Sequence, residues 1–158
     1  MPILDTQIRP MQYREMSYYP HMSSEDTDLW TRFIRDAPDW GSLVWYDFPV
    51  GSIPNGIAAE AAHIGDNYGV KTYSKRVDVV APIGNVVYVI ELKPHASAIA
   101  LGQALLYSHC IRTVIGPGVR AAGMIITDHA DPDLLVLAPT LGIKIIELDS
   151  LGGKGVGG

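Results

Sequence analysis

The stretch 75-KRVDVVAPIGNVVYVIELK-93 decides the reading of this chain. Two runs rich in Val, Ile and Tyr, residues 75–81 and 86–93, flank Gly84-Asn85, a dipeptide suited to a two-residue hairpin turn. With Gly84 and Asn85 in the turn, Ile83 pairs with Val86 and every later pair sums to 169. Asp78 then lies directly opposite Glu91, and Arg76 opposite Lys93, with paired Cβ atoms about 4.5–5.5 Å apart. Like charges facing each other across a hairpin destabilise it unless something compensates them. A divalent cation between the carboxylates does so, and oxygen donors suit hard Mg²⁺ or Mn²⁺. Alternation puts Val87 and Val89 on the face of Glu91 and Lys93, and Tyr88, Ile90 and Leu92 on the other. A strand apolar on both faces is central, so charges at its end sit at the rim of a core. A strand merely emerging into solvent, with Glu91 and Lys93 as edge charges, is the plainer alternative. Asp78 across the hairpin weighs against it.

Working outward, Leu29, Trp30, Phe33, Ile34 and Ala37 recur at helical spacing, so a helix begins at Ser23 and Pro38 ends it. Residues 43–50 read as a strand. Residues 51–74 hold four Gly and a Pro-Asn-Gly turn around an Ala-rich patch, an insertion or lid. Beyond Pro94 come a helix over 97–111, a Gly/Pro loop over 115–118, and a short buried strand over 123–127. A helical turn or two over 132–139 and a final strand over 143–148 complete the pattern. The expected organisation is an N-terminal arm (1–22), one domain (23–150) and a flexible Gly-rich tail (151–158). The order α-β-β-β-α-β-(α)-β predicts an α/β fold, a mixed central sheet flanked by helices.

On the helix after Pro94, Gln103 and Tyr107 are four residues apart and share a stripe with Ile99, Leu106 and Cys110. Two polar tips on an apolar stripe require partners. An active site at the strand ends supplies them, and bonds to backbone would serve equally well. Taken together, Arg-Val-Asp78-Val-Val, then Glu91-Leu-Lys93, then Gly-Gln103-Ala-Leu-Leu-Tyr107 resemble the PD-(D/E)XK nuclease superfamily. The last element is similar to the Gln-x-x-x-Tyr motif of its RecB-like branch. Val77 stands where the family name has Pro.

This resemblance covers about residues 75–107 and implies a restriction-endonuclease-like αβββαβ core. It implies that Asp78, Glu91 and the Leu92 carbonyl hold Mg²⁺ or Mn²⁺, and that Lys93 orients or activates water. Gln103 and Tyr107 would help position the metal site or the nucleic-acid backbone. An acid on the first helix is also implied. Asp26 shares the inward stripe of Leu29, Trp30 and Phe33, whereas Glu25 and Asp28 point further out. Ser23-x-x-Asp26 also suits a capping box, which needs no metal. Asp47 is a further candidate acid, while Arg76 and His95 are candidate phosphate contacts or ordinary surface groups. The implied activity is hydrolysis of DNA phosphodiester bonds by an exonuclease or end-processing enzyme of phage or mobile-element type. A catalytically silent nuclease-fold protein that binds nucleic acid or partner proteins is the alternative.

Composition bounds these readings. The chain has 158 residues, 47% hydrophobic and 18% charged, which suits one folded domain rather than disorder. No basic start with an apolar stretch opens it, and Cys110 is alone, in keeping with a cytoplasmic setting (bacterium or phage-infected host) and no membrane. A net charge of −5 argues against strong non-specific DNA binding, although a bound cation reverses the local sign. The scarcity of clustered Lys and Arg leaves room for a homo-oligomer or a larger complex whose partner supplies the basic surface. Other signals have plainer explanations. Glu60-x-x-His63 suits the polar face of a short helix, and His129-Ala-Asp131-Pro-Asp133 suits helix initiation. Trp30, Trp40 and Trp45 read as packing residues.

Overall fold

Gly84 takes φ +59 at the first turn position, the left-handed backbone a two-residue hairpin turn needs there. The hairpin around it has the expected register: Ile83↔Val86 through Val79↔Ile90, each pair summing to 169. The structure is a computed structural model and describes residues 8–37, 43–51 and 75–148. In chain order its elements are β1 (Met11–Gln12), α1 (Ser24–Asp36), β2 (Leu43–Val50), β3 (Lys75–Ile83) and β4 (Val86–Leu92). There follow β5 (His95–Ala96), α2 (Ala98–Cys110), α3 (Arg112–Ile115), β6 (Arg120–Thr127) and β7 (His129–Ala130). Last come α4 (Pro132–Leu137), a 3₁₀ turn (Ala138–Leu141) and β8 (Lys144–Glu147).

A six-stranded sheet runs β1-β2-β3-β4-β6-β8, antiparallel as far as β4 and parallel from there on. The mixed α/β architecture and the αβββαβ order of α1-β2-β3-β4-α2-β6 are therefore present in the fold. Each face is packed. Leu29, Trp30 and Phe33 of α1 meet Val79, Ala81, Ile90 and Leu92 on one side. Tyr107, Ile111 and Ile115 meet Val80, Val87 and Val89 on the other. The two faces of β4 thus divide as alternation requires. Trp30 and Trp45 are core residues, and the Trp30 indole N–H donates to the Tyr46 hydroxyl at 3.0 Å. Trp40, the Glu60/His63 pair, residues 52–74 and the tail lie outside the described residues.

Helix α2 is apolar nearly all round, as expected of a buried helix. Together with α3 it makes a stretch, Ala98–Ile115, apolar enough to span a bilayer by composition. Its residues Ala100, Leu101 and Ala104 are nevertheless seated in the core beside Ile125 and Leu134. Close approach is possible because β6 carries Gly123 there. A Cβ on Gly123 would lie 2.5 Å from Ile143 Cδ1 and 3.0 Å from the Ala104 carbonyl oxygen. The backbone oxygen cannot retreat without moving α2. Gly123→Ala is expected to destabilise the protein by about 1–3 kcal/mol in urea unfolding, and a neutral result would mean that α2 is free to shift.

Several elements depart from expectation. Residues 8–22, read as irregular, contribute β1, and Tyr19 is fully buried with its hydroxyl accepting from Met16 N. A two-residue edge strand has no alternation to betray it. Strand β6 begins at Arg120 rather than at Gly123, and the short pair β5–β7 was not anticipated. Asp131 does cap α4, its carboxylate accepting from Asp133 N at 3.0 Å, with Pro132 in the first turn.

Candidate metal centre and active site

Three neighbouring strands carry an acid at the same level. Strands β2 and β3 pair with a constant sum of 125 (Tyr46↔Val79, Phe48↔Val77), which sets Asp47 opposite Asp78 between the two pairs. The β3–β4 pairing ends at Val79↔Ile90, and Asp78 adjoins Glu91 just beyond it, bonding Leu92 N and influencing Glu91 electrostatically. The backbone is unusual at this row. Tyr46 and Val79 face α1, while Phe48 and Val77, two residues along, belong to the opposite face. Strict alternation would keep them on one side. Asp47 takes φ +51 at this reversal, a left-handed conformation that a non-glycine residue adopts at some cost. Glu91 stays paired with Ile125 of β6. Asp78 Oδ2 accepts from Leu92 N at 2.8 Å, which ties β3 to β4 at this row.

Glu91 is 1% exposed and its Oε1 has no hydrogen-bond partner among the described residues. Burial is the largest influence on both acids and raises both pKa values, Asp78 to about 6 and Glu91 to about 8. Asp78 raises Glu91 further, and Asp26 raises both, whereas the half-buried Lys93 draws both down. Asp26 is therefore the acid of α1 whose charge reaches the pair. Its own N–H donates to Ser23 Oγ at 3.1 Å, which fulfils the Ser23 half of the capping box. Glu25 and Asp28 are exposed, and Asp28 accepts from Arg32 Nε at 2.8 Å.

From α2, burial raises the Tyr107 pKa, with Glu91 and Asp78 adding to the rise and Gln103 lowering it. The Gln103 Oε1 is buried without a partner among the described residues. The fold thus gathers Asp26, Asp78, Glu91, Lys93, Gln103 and Tyr107 into one electrostatic neighbourhood. Leu92 is buried within it and its N–H is committed to Asp78. Arg76 is engaged elsewhere: its Nε and Nη2 donate to the Asp47 carboxylate and carbonyl, both at 2.6 Å. His95 is exposed on β5, beyond Lys93.

The donor set fits a small hard cation. A buried and a half-buried carboxylate, with one Glu91 oxygen unpartnered, suit Mg²⁺, which takes one or two carboxylates and fills the rest of its octahedron with water and substrate oxygens. Among the described residues no group of three or more His, Cys, Asp or Glu side chains could hold an ion by itself. Between α1 and the β6–β7 turn lies a cleft of about 350 Å³ lined by Ser24, Glu25, Asp28, Arg32, Pro94 and Asp128, none of them the paired acids.

No protein-family model matches this chain, and no curated protein does. Among solved structures, a repair endonuclease from Pyrococcus abyssi is similar over 46% of this chain and 32% of its own, at 19% identity and a TM-score of 0.40. A protein from Vibrio cholerae is similar over 79% and 31%, at 14% identity and a TM-score of 0.41. The chain spans about a third of the length of each.

Two features escaped the reading of sequence. The Asp47–Arg76 bond, with His21 Nε2 3.7 Å from the other Asp47 oxygen, depends on a β2–β3 register that residues 51–74 conceal. The Arg32 guanidinium grips Asp128 at 2.6 and 3.0 Å, 96 residues away, and no local signal marks such a contact.

Proposed function

We propose that this chain is a divalent-cation-dependent nuclease acting on DNA, with Asp78 and Glu91 holding Mg²⁺ or Mn²⁺ and Lys93 serving the reaction. The observation that carries the reading is buried Glu91 next to half-buried Asp78, with an unpartnered Glu91 oxygen and Lys93 in the same neighbourhood. Two close carboxylates, one of them buried, are costly even with Lys93 nearby, and a protein that only binds gains little from them. The bound cation would polarise a phosphoryl oxygen and lower the pKa of water. Lys93 then stabilises negative charge developing on the phosphoryl group. Tyr107 and Gln103 border the pair from α2 and orient water or the backbone being cut. Asp26 completes the acidic surroundings from α1. The Gln103/Tyr107 spacing favours the RecB-like kind of action, exonucleolytic or end-processing.

The test joins binding to turnover. Mn²⁺ is expected to raise the melting temperature of the wild type, and not that of the Asp78→Ala/Glu91→Ala double variant. Linear, nicked, branched and single-stranded DNA would then be incubated with Mg²⁺ or Mn²⁺. Equal melting shifts in both proteins would remove the metal site. A wild type that binds Mn²⁺ yet cuts none of the substrates would favour the silent, nucleic-acid-binding alternative.

A further inference from the structure

Two charges that act on the acid pair stand on different pieces of the fold. Asp26 raises both Asp78 and Glu91 from the first turn of α1, and Lys93 draws both down from just beyond β4. The pieces that carry them meet at the β6–β7 turn. Lys93 N donates to Ile126 O at 3.0 Å, and the Pro94 carbonyl accepts from Asp128 N at 3.2 Å and His129 N at 3.3 Å. The Asp128 carboxylate in turn takes both arms of the Arg32 guanidinium, Nη1 at 2.6 Å and Nη2 at 3.0 Å. Arg32 follows Asp26 on α1, about 9 Å further along the helix axis. A guanidinium thus connects the helix that bears Asp26 with the turn that seats Lys93 and Pro94.

The contact suits placement more than strength. Leu29, Trp30 and Phe33 hold α1 against the sheet, but apolar packing is non-directional and sets the height of a helix more firmly than its roll. A planar fork on a carboxylate fixes direction as well as distance. The fork is itself braced, because Arg32 Nε donates to Asp28 Oδ2 at 2.8 Å one turn back on α1. Arg32, Asp128 and Pro94 all line the cleft between α1 and the turn, and Pro94 is the only apolar residue in that lining among the described residues. Apolar packing across the gap is therefore slight, and the ion pair spans it. Both partners keep some contact with water, so the pair adds little to overall stability.

We infer that Arg32 and Asp128 form a latch that positions α1, and with it Asp26, against Lys93 and the cation-binding acids, an inference that rests on the metal site of the nuclease reading. Both are positioning residues, and neither needs to touch the cation or DNA. The experiment titrates Mn²⁺ alone, by calorimetry well below the melting temperature, into wild type, Arg32→Met, Arg32→Lys, Asp128→Ala and the Arg32→Met/Asp128→Ala double variant. Arg32→Met removes a positive charge and Asp128→Ala a negative one. A purely Coulombic influence would therefore move Mn²⁺ affinity in opposite directions, up for the first and down for the second. Loss of a latch weakens binding in both. Each of these single variants is expected to raise the Mn²⁺ Kd about 3–10-fold, and the double variant no further, because the two residues act as one contact. Arg32→Lys keeps the charge without the fork and should show part of the same loss, where charge alone predicts none. Melting temperatures without metal should stay within a few degrees of wild type, which separates misplacement from unfolding. Opposite shifts in the two truncations would overturn the latch and leave the metal site standing. So would variants that all match a wild type that binds Mn²⁺. A wild type that takes up no Mn²⁺ removes the metal site and the latch together.

Discussion

Lys93→Met should lower the rate of DNA cleavage by about 10²–10³-fold, the usual loss when one preorganised donor to developing charge is removed. The fold should survive it. Lys93 meets β6 through its backbone N–H, which donates to Ile126 O at 3.0 Å and is indifferent to the side chain. Methionine keeps the half-buried stem and removes only the ammonium. A melting temperature within a few degrees of wild type is therefore expected, which separates lost chemistry from lost structure. The second signature is electrostatic. Lys93 draws both Asp78 and Glu91 down, so its removal lets both rise. At a given pH fewer carboxylates are then ionised, and the rising limb of the residual pH–rate profile moves to higher pH. Mn²⁺ affinity should weaken in neutral solution and recover in alkali. A variant that keeps more than a third of wild-type activity with an unmoved profile would show that Lys93 is a surface charge at a strand end.

Much of the frame behind this expectation was legible from local chemistry. Gly84-Asn85 fixed the turn, and the turn fixed the register as far as Val79↔Ile90. The two faces of β4 followed from alternation, and Ser23 from its place before the periodic apolar residues of α1. What stayed hidden depends on contacts distant in sequence. The constant sum of 169 places Asp78 beside Glu91 but does not reveal that the Asp78 carboxylate bonds the backbone of β4. That bond lies at the alternation break beside Asp47, whose left-handed φ comes from β2, across residues 51–74. Arg76 illustrates the same limit. The hairpin places it across from Lys93 as a ready cation, and only the neighbouring strand shows that Asp47 engages it. His129 looked like part of a helix start because Asp131 and Pro132 are one. The offset shared by β4–β6 and β5–β7 then sets it against His95, a relation between two chain segments that neither segment contains.

Without divalent cation, the protein should lose stability as pH rises from about 5 to about 8.5, the reverse of ordinary acid denaturation. The sign follows from the raised carboxyls. Asp78 moves from 3.8 to about 6 and Glu91 from 4.5 to about 8, so between these limits the folded chain binds protons that the unfolded chain has released. Their contribution is complete below the unfolded values and disappears as pH climbs through the folded ones. The pair titrates jointly, and the combined effect is on the order of 2–4 kcal/mol, read as a fall in melting temperature of about 5–15 °C. Glu91→Gln removes the more buried of the two titrations at nearly constant volume. At pH 8 without metal this variant should melt above wild type, and its profile should be the flatter one. Added Mn²⁺ should invert the comparison, because the cation stabilises the ionised pair and the amide supplies no charge to meet it. Wild type would then gain most at high pH and Glu91→Gln least. Two profiles that coincide across the window, with and without Mn²⁺, would mean that Glu91 does not carry the buried charge on which the proposed site depends.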